Sequence, residues 1–222
     1  MSWLGYGLVF AAFFATHSVP LRPPVRDRLE AWLGRRGLAI AYSSLSLGML
    51  GLLIHAAGRA PRVMLWSAAP WQFHVVQAGM LSVCLLLALT LGRPNPLSFG
   101  GAHNARFDPD RPGPVRLTRH PVLLALALWA GLHLLANGDL AHVLLFGVLG
   151  GFAIVGRGLV DRRKRHEVGA DRWHDLRRRV ALAPLLRAPP SWCALVARLA
   201  AGVGAYGCLI LLHPVVIGVT AG

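Results

Sequence analysis

The 222-residue chain contains few charged side chains. Only 14% of its residues are Asp, Glu, Lys or Arg, whereas a soluble domain carries about 25%. Nine residues are acidic, and all nine lie outside the long apolar runs. The sequence also has no glycine-rich phosphate loop, no paired-carboxylate site and no nucleophile–base motif. It therefore offers no standard signature of a phosphate-binding or hydrolytic enzyme.

Cysteine is equally scarce. Cys84, Cys193 and Cys208 are the three cysteines, and each lies in or beside an apolar run. Their spacing shows no pairing, which argues against a disulfide framework and against a cysteine-based metal site. We expect them to act as small buried hydrophobic residues.

Long apolar runs dominate the rest of the chain, which is 55% hydrophobic with a mean hydropathy of +0.53. A helix needs ~20 apolar residues to cross ~30 Å of hydrocarbon, and ~17 is the lower limit. None of the runs shows the polar stripe of a soluble amphipathic helix. The sequence predicts an all-α membrane protein, a bundle of about six transmembrane helices forming one domain over residues 1–222. The predicted helices cover residues 3–19, 38–57, 74–92, 121–137, 140–159 and 193–219.

The net charge of +14 could suggest nucleic-acid binding, but the placement of the basic residues argues against it. They concentrate in alternate connections, and the connections between hold two arginines or none. This is the positive-inside pattern, which predicts three cytoplasmic basic segments and periplasmic N and C termini; anionic lipid head groups account for the rest of the charge. The basic residues are Arg22, Arg26, Arg28, Arg35 and Arg36 in the first segment, Arg93, Arg106, Arg111, Arg116 and Arg119 in the second, and nine arginines with Lys164 between residues 157 and 187.

The third basic segment, residues 161–187, alternates basic and apolar side chains. This pattern predicts a cytoplasmic amphipathic helix that either lies on the membrane surface or caps the bundle. Between the fourth and fifth runs, Asn-Gly-Asp at residues 137–139 predicts a tight turn with Asp139 as helix N-cap. Small-residue stripes predict close helix contacts; they are Gly147 and Gly151, and Ala197, Ala201 and Ala205.

Histidines are the polar groups placed deepest in the apolar runs. His17 lies near the end of the first run, His133 inside the fourth, and His120 at the mouth of the fourth. An ionisable group at such depth is costly and usually faces a cavity or a partner. Neutral imidazole is a common metal ligand, and axial histidines hold haem in helical bundles. The alternative is that each histidine only hydrogen-bonds a neighbouring backbone or hydroxyl group.

The depth of these histidines leaves their pairing open. His133 lies about 12 residues, or ~18 Å, from the cytoplasmic side of its helix, whereas His17 lies near that side. His17 with His120, and His133 with His213, are therefore both possible pairs, although a tilted first helix could bring His17 level with His133. The remaining histidines are interpreted as non-ligands; they are His55, His74, His103, His142, His166 and His174.

Three arginines precede or flank the mouth of the fourth run. Arg106, Arg116 and Arg119 could clamp an acidic ligand such as a haem propionate, because arginine binds carboxylates bidentately. Anchoring of the chain by the positive-inside rule would also explain basic residues here.

The combined motifs resemble those of the NnrU family of bacterial membrane proteins, over nearly the whole chain. The family takes its name from genes linked to nitrite and nitric oxide reduction, so the resemblance implies a link to denitrification. The motifs are Phe-Phe-Ala-Thr-His-Ser at 13–18, Gly-Arg-Ala-Pro at 58–61, Ala-Arg-Phe-Asp-Pro at 105–109, Leu-Thr-Arg-His-Pro at 117–121 and Leu-His-Leu-Leu-Ala-Asn-Gly-Asp at 132–139.

The same resemblance extends to plant 15-cis-ζ-carotene isomerase, a haem b membrane enzyme. Its axial ligands are the histidine of a His-Ser motif on the first shared helix and a histidine shortly after an Arg-His-Pro motif. Carried onto this chain, these positions are His17 and His133. The isomerase has a cysteine three residues before its second ligand, implicated in a ligand switch. Ala130 stands there in this chain, so the resemblance implies haem binding but not isomerisation by that mechanism.

A weaker resemblance reaches the isoprenylcysteine and phospholipid methyltransferases, whose Arg-His-Pro motif and later acidic helix bind S-adenosylmethionine. The chain has Arg-His-Pro at 119–121. At 161–167, however, it reads Asp-Arg-Arg-Lys-Arg-His-Glu, and basic residues replace the expected acidic pair. We expect no methyl transfer.

Residues and resemblance together predict a bacterial inner-membrane protein that binds haem b, with the iron held by His17 and His133. The iron could exchange one ligand for a small molecule such as nitric oxide, or act on an apolar polyene as a cis–trans isomerase does. Membrane lipid is the other expected partner. The remaining residues expected at the cofactor are Arg106, Arg116, Arg119 and His120.

Overall fold

A computed structural model describes residues 1–184, 188–189 and 191–218. Within these residues the chain forms seven α-helices and three short 3-10 turns, and its one β-type pairing is an isolated bridge between Met64 and Asp139. The helices are α1 (Trp3–Ser18), α2 (Pro23–Arg59), α3 (Pro70–Thr90), α4 (Pro121–Ala136), α5 (Leu140–Val168), α6 (Ala170–Leu182) and α7 (Trp192–Val216).

The predicted all-α membrane class is confirmed. Among the described residues, five helices are long and apolar enough to cross a membrane, namely α1 with the 3-10 turn that follows it, α2, α3, α5 and α7. The chain is therefore a multi-pass membrane protein. Helix α4 has 16 residues, about 24 Å at 1.5 Å per residue. It is shorter than the ~30 Å hydrocarbon core. The count of six spans and the sides of the termini stay predictions.

Helix α2 begins far before the predicted span. Pro23 and Pro24 start it, because proline lacks only an N–H that the first turn leaves unpaired anyway. Gly34 then breaks the helix with φ 69° and ψ 165°, a conformation essentially reserved for glycine. The break separates a short helical segment, which carries two arginines and two acidic residues and on which Trp32 is 82% exposed, from the longer remainder of the helix.

The third basic segment is divided between two helices. Helix α5 runs past the predicted end at residue 159 to Val168, and Gly169, with φ 91°, separates it from α6. Trp173 and Val180 of α6 are buried against Leu97 and Val115. This packing favours the capping interpretation over a helix lying on the membrane. Residues 185–187 of the predicted segment and residue 219 of the predicted last span lie outside the described residues.

The first compact unit comprises residues 1–66 and 138–145. Helices α1 and α2 run antiparallel in it: the N-terminal amine donates to the Arg59 carbonyl at 2.7 Å, and at the other end Tyr42 donates to the His17 carbonyl at 3.1 Å. The Asp139 carboxylate accepts from the Ala141 N–H at 3.1 Å. This bond confirms the predicted N-cap of α5.

The second unit comprises residues 67–137 and the described residues from 146 onward. Its helices approach closely at glycines, as expected in a membrane bundle. A Cβ at Gly202 of α7 would lie 3.1 Å from Cβ of Ala88 on α3, and one at Gly150 of α5 would lie 3.3 Å from Cβ of Ala130 on α4.

The predicted small-residue stripes are not the ones that make these contacts. Gly147 and Gly151 are exposed, and a Cβ at either would meet nothing within 4 Å. The three stripe alanines of α7 are exposed as well. Each prediction selected the correct helix but the wrong face, because small residues occur all around both helices.

Candidate functional site

The most buried polar cluster surrounds His120, which directly precedes α4. Its side chain is 1% exposed. Nδ1 lies 2.9 Å from Oγ of Ser98, and Nε2 lies 3.0 Å from Oδ1 of Asp161 on α5. The imidazole therefore joins the loop after α3 to the C-terminal part of α5, which the topology prediction places on the cytoplasmic side.

Asparagine side chains hold the loop that carries Ser98. Asn95 donates from Nδ2 to the Arg119 carbonyl at 2.9 Å, and its own N–H donates to Oδ1 of Asn104 at 2.8 Å. Its Oδ1 accepts from the Leu97 N–H at 3.1 Å. Asn95 and Ser98 are both buried, so these bonds satisfy groups that would otherwise be costly to bury.

Electrostatics around His120 favour the neutral imidazole. Burial lowers the pKa of His120, and the Asp161 carboxylate opposes that shift. Asp161 also pairs with Arg119, whose Nη2 lies 3.0 Å from its Oδ2. A neutral ring that donates from Nε2 to Asp161 accepts the Ser98 hydroxyl proton at Nδ1.

This arrangement resembles a Ser–His–Asp set in its residue types, but its chemistry is structural. Ser98 is 2% exposed, which leaves no approach for a substrate to its hydroxyl. Both nitrogens of His120 are engaged, so neither is available to bind iron while the cluster is intact.

The three predicted clamp arginines have separate surroundings. Arg119 is held by Asp161, and its Nε is buried without a hydrogen-bond partner in the described part of the chain. Arg116 donates from Nε to the Ala183 carbonyl at 2.9 Å. Arg106 is exposed on a 3-10 turn. Their role as propionate partners stays a prediction.

His17 lies in an aromatic environment within the first unit. Its ring stacks on Phe13 with a centroid distance of 4.4 Å and meets Tyr42 edge-on at 5.8 Å. Its Nδ1 is buried and makes no hydrogen bond of good geometry among the described residues, although the Phe13 carbonyl one turn earlier is close enough to interact with the ring. A buried imidazole nitrogen without a well-formed hydrogen bond is costly and has the chemistry of a ligand site.

His133 lies in the second unit and has a different arrangement. Its Nδ1 lies 2.9 Å from the Trp129 carbonyl one turn earlier, and Trp129 and Phe146 lie within 5.3 Å of it, centroid to centroid. Since a carbonyl can only accept, Nδ1 carries the proton and Nε2 carries the lone pair. His213 is close enough to interact electrostatically with His133, in agreement with the depth argument for that pair.

The sequence identified the histidines but missed the partners of His120. Asp161 stands alone among basic residues, and Ser98 and Asn95 lie in a loop with no recognised motif. The cluster joins residues 22 and 41 positions apart. The usable signal was Asp161, a lone carboxylate at the end of an otherwise apolar run.

Among the described residues, no group of three or more His, Cys, Asp or Glu side chains converges on a common point. A haem held by two axial histidines does not require such a group, because the porphyrin supplies the other ligands. His133 fits the role of an axial ligand best, since metal-binding histidines usually donate their second N–H to a carbonyl or carboxylate.

Comparison with curated proteins and with solved structures finds no match. The sequence pattern described as "NnrU protein" matches residues 7–221. This match covers nearly the whole chain, including both intramembrane histidines and the His120 cluster, and the chain therefore belongs to the NnrU family.

Proposed function

We propose that the protein binds haem b within the membrane, with His17 and His133 as axial ligands of the iron. The observation that carries the proposal is the buried Nδ1 of His17, which makes no hydrogen bond of good geometry among the described residues. Coordination would satisfy this nitrogen without adding a charge to the apolar helix.

His133 supports the proposal through its tautomer. The bond from Nδ1 to the Trp129 carbonyl fixes the ring and leaves Nε2 as the coordinating nitrogen. Phe13 beside His17, and Trp129 and Phe146 beside His133, are apolar aromatic side chains of the kind that surround a porphyrin in helical bundles. Arg106, Arg116 and Arg119 are the proposed propionate partners.

A bound haem would supply electron transfer or the binding of a diatomic gas such as nitric oxide, and its axial ligands decide between them. Family membership supports a role linked to nitrite and nitric oxide reduction, in the inner membrane of a bacterium. The protein's own residues set the iron's surroundings, its access to water and the orientation of each imidazole.

The test is an absorption spectrum of the full chain, purified in detergent from cells supplied with haem precursor. We expect a Soret band and low-spin bands, which His17→Ala and His133→Ala each alter or abolish. His55→Ala is the matched control, because His55 is exposed and is predicted to be a non-ligand. Its spectrum should equal that of the wild type.

Two outcomes would contradict the proposal at different levels. If no Soret band appears, even after haem is added to the purified protein, the proposal that the protein binds haem is wrong. If the spectrum changes in His213→Ala or His120→Ala but not in His17→Ala, the protein binds haem through a different pair of ligands. Recovery of the low-spin bands in the His17 and His133 variants by added imidazole separates lost ligation from misfolding.

A further inference from the structure

Two arginines lie beside the end of α3. Arg198 of α7 donates from Nη1 to the carbonyls of Ala88 and Leu91, at 2.8 and 3.0 Å. Arg93 follows directly in the chain, and its backbone is fixed by bonds from its N–H to Thr90 and from the Ala102 N–H to its carbonyl, both 3.2 Å. The Arg198 cation and the Arg93 backbone are thus both held at one helix end.

Neither arginine has a carboxylate partner among the described residues. The carbonyls at the end of α3 partly compensate Arg198, because a helix C-terminus is a site of partial negative charge. Arg93 has no such bond from its side chain; its Nη1 lies 3.7 Å from the position of a Cβ at Gly113. Burial and the neighbouring charge of Arg198 lower the pKa of Arg93. The pair therefore carries positive charge that an anion would neutralise.

The surroundings place this pair at the level of lipid head groups. Trp192, the first residue of α7, is 66% exposed and lies about 9 Å along the helix axis from Arg198. Exposed tryptophans are typical of the membrane interface. Leu91 and Phe99 are also exposed, and a 3.0 Å bond from the Gly92 N–H to the Gly100 carbonyl holds their two segments together. Acyl chains have apolar surface to contact beside the charges.

We propose that Arg93 and Arg198 form a binding site for the phosphate of an anionic phospholipid. Guanidinium groups bind phosphate oxygens in paired, charge-assisted hydrogen bonds. A free phosphate ion offers the same oxygens, but it lacks the acyl chains that would cover Leu91 and Phe99. The two arginines are not among the proposed haem ligands or propionate partners, so the lipid-binding proposal can be tested independently of haem binding.

The test measures lipid binding to the full chain in neutral detergent by native mass spectrometry. Phosphatidylglycerol, phosphatidylcholine and inorganic phosphate are the three probes. We expect phosphatidylglycerol to bind in preference to the others. Arg93→Gln should weaken its binding about fivefold, the contribution typical of one basic residue near an anionic surface.

Arg165→Gln is the matched control, because Arg165 is an exposed arginine on the same predicted side. Its binding should equal that of the wild type. Arg198→Gln removes two backbone contacts as well as a charge, so Arg198→Lys is measured beside it and should retain part of the affinity.

Three results would overturn the proposal. Equal affinity for phosphatidylglycerol and phosphatidylcholine would show that net charge does not matter. An equal loss in the Arg165 and Arg93 variants would indicate general surface attraction. Full displacement of the lipid by millimolar inorganic phosphate, with the same dependence on Arg93, would assign the site to the free ion.

Discussion

At the scale of single residues, the buried imidazole of His120 uses both of its ring nitrogens in polar contacts. It bridges Ser98 and Asp161, while Asp161 also holds Arg119. Removing it leaves the buried Ser98 hydroxyl and a partly buried Asp161 carboxylate oxygen without their partner. The cost of such orphaned groups exceeds the value of the bond itself.

We therefore expect His120→Ala to destabilise the protein by about 2–4 kcal/mol. His166→Ala should have almost no effect, since His166 is exposed. The thermal unfolding midpoint in detergent, measured for both variants, checks this. Similar midpoints for the two variants would show that the cluster contributes little.

The same residue predicts a pH dependence with a defined sign. Burial in the folded state lowers the pKa of His120 below the ordinary value of a histidine, so the unfolded chain binds the proton more readily. Stability contributed by the neutral ring is complete above about pH 6.5 and declines as the pH falls through the interval below it. The stability difference between wild type and His120→Asn should shrink between pH 7 and pH 5. A constant difference would contradict a neutral His120.

Gly138 packs so closely against Trp66 that there is no room for a side chain. A Cβ there would lie 1.9 Å from the Trp66 carbonyl oxygen, whereas at Gly147 it would meet nothing within 4 Å. Gly138→Ala should cost about 1–3 kcal/mol, as overpacking does. Gly147→Ala should instead stabilise α5 by up to about 1 kcal/mol, because alanine has the higher helix propensity. Unfolding midpoints of the two variants should shift in opposite directions.

At the scale of elements, hydropathy located the helices well but not their ends. Lipid thickness fixes the length of an apolar run, so all six predicted runs coincide with helices. A helix nevertheless continues wherever its backbone bonds remain favourable. Helix α5 therefore carries its basic residues to Val168, and α2 begins at Pro23. Hydropathy reports the membrane boundary and not the helix boundary.

The site was predictable only to the level of residue types. Histidines inside apolar runs are rare enough that the sequence alone singles out His17 and His133 as candidate site residues. The partners of His120 are not singled out in this way, because Ser98 and Asp161 meet it only after three elements have packed. The glycines that make helix contacts were missed for the same reason: Gly150 and Gly202 differ from Gly147 only in what they face.

The contact between α3 and α7 gives a test at this scale. A Cβ at Gly202 would lie 3.0 Å from the end of the Leu85 side chain and 3.2 Å from its Cα, whereas at Gly204 it would meet nothing within 4 Å. We expect Gly202→Val to separate the helices and lower the unfolding midpoint, and Gly204→Val to change it little. Equal effects would mean that helix propensity alone, and not packing, sets the cost.

At the scale of the whole molecule, the positive-inside pattern predicts a membrane topology that cysteine labelling can test. Each candidate position receives a single cysteine in a chain whose Cys84, Cys193 and Cys208 are replaced by alanine. Ser67 lies in a connection with little charge and Ala105 in a basic one, and both are exposed. A membrane-impermeant maleimide should label Ser67→Cys in intact cells, and Ala105→Cys only after lysis.

Maleimide labelling of the two chain ends also measures the number of membrane crossings. Helix α4 decides this number, because its 16 residues fall below the usual minimum of ~17 for a span. If α4 crosses, the chain passes six times and cysteines appended to the two ends label together from outside. If it does not, five crossings place the ends on opposite sides, and only one end labels. The six-span prediction rests on the apolar run at residues 121–137, which just reaches the lower limit of ~17 residues. Labelling of one end alone would therefore overturn both the span count and the periplasmic position assigned to both termini.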